Sequence, residues 1–172
     1  MSRILVTPLS AVEDVIRVHR PSHIVTLLSP DHMIETPAGF PRERHLRLGM
    51  NDVVDAAAGD TPPEQTHVEE LLSFARTWPA EDPMLVHCWA GISRSMAATY
   101  IVLCDRLGRG SELYAAKAIR SRAPHAYPNA LLVRHADELL GRQGRMVEAI
   151  KSIGAGKMVA EGDVVEFPLV GL

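Results

Sequence analysis

The segment that concentrates reactive chemistry reads His87-Cys88-Trp89-Ala90-Gly91-Ile92-Ser93-Arg94-Ser95. A cysteine and an arginine bracket five residues with Gly91 at their centre. A turn that tight aims several backbone N–H groups at one point, and glycine supplies the positive φ it needs. Placed before a helix, such a turn is an anion-binding nest capped by the positive end of the helix. Thiols held in a field of this kind ionise well below their ordinary value of about 8.5 and become nucleophiles at neutral pH. Arg94 adds a planar two-pronged donor for two oxygens of a tetrahedral oxyanion. The same fork favours the trigonal-bipyramidal transition state, in which those oxygens move into the equatorial plane. His87 is positioned to fix the loop through its ring, and Ser95 to donate a hydroxyl proton to the departing thiolate. The chemistry these types and spacings would perform is displacement at the phosphorus of a phosphate monoester. Cys88, Arg94 and Ser95 would act on it, and His87, Trp89, Ala90, Gly91, Ile92 and Ser93 would cradle it.

The elements that must hold this loop are legible around it. Residues 84–87 form a short apolar strand running into Cys88, and the helical pattern of 94–107 begins at Arg94. In open α/β sheets ligands bind at such carboxyl ends of strands. Upstream, 4–6 and 23–29 read as strands and 45–48 as a short one. Ser10 with Glu13 predicts a capped helix to about residue 19, stopped by Pro21. Thr61-Pro62-Pro63-Glu64 predicts a second start, with Thr61 as cap and a helix to about residue 78. Downstream, Ser111 predicts a helix to about residue 122, and Pro128-Asn129 a third that runs through about 142 and on toward 153. The alternation predicts an α/β sandwich with a central, mostly parallel sheet flanked by helices, the late helices clustering on one face. One domain is expected over 1–172, with a core of about 4–140 and with 157–172 as an edge strand or docked tail.

Composition excludes several classes. The chain has 172 residues, a hydrophobic fraction of 47% and a charged fraction of 23%, ordinary for a globular domain. A net charge of −3 without a long basic run argues against a nucleic-acid or acidic-membrane partner. Two cysteines, Cys88 and Cys104, make no disulfide scaffold and predict a reduced, cytoplasmic chain. The N-terminal residues make a poor secretory signal, and no apolar run reaches the length of about 20 that spans a bilayer. No His-Glu-x-x-His-like spacing occurs, so neither a metal nor a cofactor is expected. Cys104, ten residues beyond Arg94 in the same predicted helix, reads as a packed core thiol.

His-Cys-x-x-Gly-x-x-Arg-Ser resembles the signature of the protein tyrosine phosphatase superfamily, and His-Cys-x-Ala-Gly-x-Ser-Arg-Ser its dual-specificity branch, in a compact, prokaryotic-type form. The resemblance extends over roughly residues 4–140 and is most specific over 86–95. It implies a protein phosphatase that hydrolyses phosphotyrosine, and phosphoserine or phosphothreonine besides, in two steps through a phosphocysteine. It also implies a general acid from an upstream loop, worth about 10²–10⁴-fold for a poor leaving group. Asp52, Asp55 and Asp60 are the aspartates available. The position of Asp52, after a short strand and before a long helix, matches the acid of similar enzymes, with Asp55 the alternative. Asn129 falls where the family places a polar residue that orients the attacking water, although a helix cap is the plainer reading of it. Loop positions 89, 90, 92 and 93 carry no lysine, which disfavours a highly charged inositol lipid and leaves a phosphoprotein or a small phosphomonoester as substrate. Competing readings are a phosphate-binding module that has lost turnover, a phosphatase of a non-protein substrate, and a sulfurtransferase or arsenate reductase. The last pair fits poorly, because the loop encloses five residues and a resolving cysteine is badly placed.

Overall fold

The computed structural model describes residues 2–172. Five strands form one sheet in the order β3-β2-β4-β1-β5. They are β1 (Arg3–Thr7), β2 (His23–Leu28), β3 (His45–Gly49), β4 (Met84–His87) and β5 (Val165–Pro168). The pairings β1–β4, β2–β4 and β2–β3 are parallel, with Val6 opposite Val86 and Val25 opposite both Val86 and Leu46. Central strands of a parallel sheet are covered on both faces, which is why 23–28 and 84–87 are mostly apolar and are buried throughout. β5 returns antiparallel along β1 and closes that edge, ending at Pro168, which has no N–H to offer a further strand. Within the expected tail, residues 165–168 are therefore an edge strand of the sheet, and the core reaches past residue 140 to take in Met146, Ala149, Val165 and Phe167.

The helices are α1 (Val12–His19), α2 (Gln65–Thr77), α3 (Arg94–Leu107), α4 (Glu112–Arg122), α5 (Ala130–Leu139) and α6 (Arg145–Ser152). α3 runs through the centre of the helical layer and is buried from Arg94 to Cys104. Three boundaries differ from expectation. Ser10 does not cap α1, because its hydroxyl donates to Glu161 Oε1 across the fold at 2.6 Å. α2 is capped by Glu64 rather than Thr61, in a reciprocal box with His67, whose Nδ1 accepts the Glu64 N–H at 3.0 Å. The third late helix is broken at 140–144 and resumes as α6. Asp137 causes this by accepting the N–H groups of Gly144 and Met146, at 2.6 and 2.7 Å, so it caps a new helix instead of letting the first continue. Among the described residues no helix is long and apolar enough to cross a membrane.

The parallel strands all point their carboxyl ends to one side. Cys88 follows β4 at the middle, flanked by Ser29 after β2, Met50 and Asp52 after β3, and Pro8 and Leu9 after β1.

Candidate active site

The loop of residues 88–94 is shaped from outside by its carbonyls. In a trans peptide the C=O and the next N–H point in opposite directions, so a carbonyl tied outward turns the following N–H inward. Cys88 O accepts from His87 Nδ1 at 3.3 Å. Trp89 O accepts from Leu9 N at 3.0 Å, Ala90 O from Gly162 N at 2.8 Å and Ile92 O from Tyr127 N at 2.9 Å. Ser93 O accepts from Ala97 N at 2.9 Å and Asn129 N at 3.2 Å. The donors come from β4, the residues after β1, the C-terminal segment, the α4–α5 connection and α3. The N–H groups of residues 89–93 donate to no protein acceptor among the described residues, and Ser93, the α3 N-cap, makes no side-chain cap bond. What results is an arc of inward amides, from residues whose preceding carbonyls are tied, above an uncapped helix N-terminus, the form of an oxyanion cradle. Gly91 is required twice over: its φ is +70°, and a Cβ there would lie 2.8 Å from Pro8 N and 3.0 Å from Thr7 C.

At the floor sits Cys88, buried, with Sγ 3.1 Å from Ser95 Oγ. Arg94 folds over from the first turn of α3. Its Nη1 donates to Met50 O at 2.8 Å, which fixes the plane of the guanidinium. Its Nε is buried with no hydrogen-bond partner and lies 4.0 Å from Asp52 Oδ2. A buried guanidinium donor without an acceptor is costly to keep, and a site that takes an anion removes the cost.

Of the candidate acids, Asp52 is the one in contact with the loop. Its Oδ1 accepts from Ser93 Oγ at 2.7 Å and from Asn129 Nδ2 at 2.9 Å, while Oδ2 makes no hydrogen bond and faces Arg94. Asp55 is exposed and turned back on its own loop, accepting Ala57 N at 2.9 Å; Asp60 is exposed. Asn129 caps α5 by accepting Leu131 N and Leu132 N, and its Nδ2 donates to Asp52 and to Val53 O. Its amide is fully engaged, so orienting a water would require releasing one of these bonds. As the side chains stand, Asn129 is the brace of the loop that carries Asp52. Trp89 is exposed and meets His32 edge-on at 5.3 Å between ring centres.

Behind the loop, His87 belongs to a buried chain that spans three strands. Its Nε2 lies 2.6 Å from Thr26 Oγ1, which lies 2.8 Å from His45 Nε2, and His45 Nδ1 lies 3.0 Å from Thr36 Oγ1. The direction of every bond follows from the Cys88 carbonyl, which can only accept. His87 Nδ1–H donates to it, so His87 Nε2 accepts the Thr26 hydroxyl proton. Thr26 in turn accepts from His45 Nε2–H, and His45 Nδ1 accepts from Thr36. Burial drives the His87 pKa down to about 4, opposed by its bond to Cys88 O and helped by His45. Burial also takes His45 to about 4, with Arg47 adding to the fall and Glu35 opposing it. Both rings are therefore neutral at physiological pH, as the chain requires. Thr26 and His45 escaped the sequence reading; the available signal was a lone hydroxyl, Thr26, inside the apolar run of β2. Cys104 is fully buried and unpaired, its thiol pushed up to about 12 by burial.

No protein-family model matches this chain, and no curated protein matches it. Solved structures do. The human tyrosine phosphatase-like serine/threonine/tyrosine-interacting protein superposes with a TM-score of 0.64 at 20% identity, covering 80% of this chain and 91% of that one. DUSP15 gives 0.60 at 19% identity, with 89% and 91% covered. PTPMT1 in complex with PI(5)P gives 0.55 at 20% identity, with 87% and 91% covered. The chain has the fold of the dual-specificity phosphatases, a single α/β domain with a mostly parallel sheet between helices.

Proposed function

We propose that this chain is a cysteine-dependent phosphatase of phosphate monoesters, acting on phosphoproteins through a phosphocysteine. One observation carries the reading: five of the six carbonyls of residues 88–93 are hydrogen-bonded to the surrounding structure, which leaves amides without protein acceptors around a buried cysteine and an arginine Nε that has no hydrogen-bond partner.

In the first step the Cys88 thiolate attacks phosphorus, and the ester P–O bond breaks on the opposite side. The loop amides and Arg94 hold the phosphoryl oxygens as they flatten into the equatorial plane. Asp52 gives its proton to the leaving oxygen. Oδ2 is the suitable atom, because Oδ1 is occupied by Ser93 and Asn129. In the second step water attacks the phosphocysteine and loses a proton to Asp52. The P–S bond breaks, inorganic phosphate leaves, and the Ser95 hydroxyl hydrogen-bonds the returning thiolate. Asn129 positions the acid loop, and His87 positions the Cys88–Trp89 peptide.

The uncharged variable positions of the loop and the exposed Val54, Trp89 and Tyr127 beside it favour an aryl phosphate on a protein over a polyanionic headgroup. The PI(5)P complex of a protein with this fold makes an inositol lipid the competing substrate. Hydrolysis of an aryl phosphate near pH 6 with EDTA present tests the reaction. Activity in the wild type and none in Cys88→Ser is expected, together with a trapped phosphocysteine in Asp52→Asn. A folded, reduced wild type without turnover refutes the reading and leaves a phosphate-binding module. Faster release of phosphate from phosphoinositide vesicles than from phosphotyrosyl peptides would overturn the substrate assignment alone.

A further inference from the structure

Resting on the phosphate-loop reading above, one gap in the ring of tethers points to a further positioning residue. Gly91 O, alone among the carbonyls of residues 88–93, accepts no hydrogen bond among the described residues. Beside it, His125 Nε2 is a buried polar atom without a hydrogen-bond partner, on a residue only 6% exposed. The two atoms flank Gly162: a Cβ there would lie 2.5 Å from His125 Nε2 and 3.0 Å from Gly91 O. An orphan donor group and an orphan acceptor thus meet across one glycine. Buried groups in that condition normally find partners.

The surroundings hold His125 in place from both directions. Arg120 reaches Pro124 O at 2.8 Å and Ala126 O at 3.0 Å on either side of it, and Gly154 O at 2.8 Å on the returning tail. Lys157 N donates to Pro124 O at 2.8 Å, and a Cβ on Gly156 would lie 2.6 Å from His125 O, so the tail runs flush against this segment. Glu161 is pinned by Ser10, and Gly162 N then holds Ala90 O. Burial lowers the His125 pKa, opposed by Asp163 and by the Gly91 carbonyl that the ring faces, with Arg120 adding to the fall.

We propose that His125 donates its Nε2–H to Gly91 O when an oxyanion occupies the loop, so that the C-terminal segment 154–163 is part of the phosphate-binding machinery. The bond turns the Ile92 N–H inward, as Gly162 already turns the Gly91 N–H, and completes the ring. His125 acts through the loop backbone and does not touch the anion. The tail, at first sight an edge strand with a lead-in, supplies one tether directly and shapes the other.

The test uses tungstate, a tetrahedral oxyanion that needs no turnover, titrated calorimetrically into the full chain, with kcat/KM for an aryl phosphate measured in parallel. His125→Phe is expected to weaken tungstate binding about fivefold, the value of one hydrogen bond between neutral groups. His125→Gln, which keeps a donor, should restore it to within about threefold of wild type. In the wild type, the ¹⁵N shift of His125 Nε2 should move on adding tungstate, a readout that needs no substitution. Unchanged binding in His125→Phe, equal loss in both variants, or a ring shift indifferent to tungstate would each overturn the inference. A wild type that fails to bind tungstate would instead refute the phosphate-loop reading, before any variant is compared.

Discussion

Replacing Asp52 with asparagine separates the two things its carboxylate does. Oδ1 braces the loop by accepting from Ser93 and Asn129, and an asparagine Oδ1 can accept the same bonds. Oδ2 has no hydrogen bond and lies 4.0 Å from Arg94 Nε. There the substitution removes the proton donor of the proposed mechanism and a partly solvated ionic contact. The ionic part is worth at most about 1 kcal/mol, because the Asp52 side chain is 37% exposed, and its loss changes every substrate alike by about fivefold or less. The acid part is graded. A leaving group of pKa about 10, such as a tyrosyl oxygen, should lose about 10³-fold, close to 4 kcal/mol of transition-state stabilisation. A leaving group that departs as a stable anion near pKa 5 should lose little beyond the uniform factor. The assay is kcat/KM across a series of aryl phosphates of rising leaving-group pKa, wild type against Asp52→Asn. A plot far steeper for the variant is expected. Parallel plots would refute the acid assignment and leave Asp52 as a brace; a steepening seen in Asp55→Asn instead would move the role there.

Thr26→Val leaves His87 Nε2 and His45 Nε2 facing a methyl group, so urea unfolding should show a loss of about 2–4 kcal/mol, against the near-neutral result expected if the chain of bonds were incidental. Stability should also fall on acidification from about pH 6.5 toward pH 4. Both rings titrate near 6.5 unfolded but near 4 folded, so the unfolded state binds more protons in that window, and each ring costs about 2 kcal/mol by pH 5; a flat unfolding midpoint between pH 7 and pH 5 would contradict this. Gly91→Ala should abolish tungstate binding and lower stability by at least about 2 kcal/mol, from a φ of +70° plus a Cβ 2.8 Å from Pro8 N, as calorimetry and thermal unfolding would report.

What could be read from the chain follows how local each feature is. The run 84–107 joins a buried strand, a tight loop and a helix within a few turns of chain. There apolar pattern, Gly91 and Arg94 sufficed to set element type and order, and α3 begins at Arg94 as its pattern predicts. Helix starts were less legible, since a hydroxyl can be taken by a distant partner. Ser10 spends its proton on Glu161, and Asp137, inside α5, ends that helix by capping the next. The mostly apolar strands announced a parallel sheet, but not that β5 would close its β1 edge from the far end of the chain.

The sequence by itself determined that the cysteine, arginine and serine of the loop lie within eight residues, a span over which backbone geometry has few solutions. Only the tertiary structure decided what makes that loop a cradle. The contact of Asp52 with the loop, the engaged amide of Asn129, the Thr26–His45 chain and the tethers from Leu9, Tyr127 and Gly162 all join residues far apart in sequence. A carbonyl will accept from any N–H brought to it, and which one arrives is settled by how strands and helices pack, not by residue type.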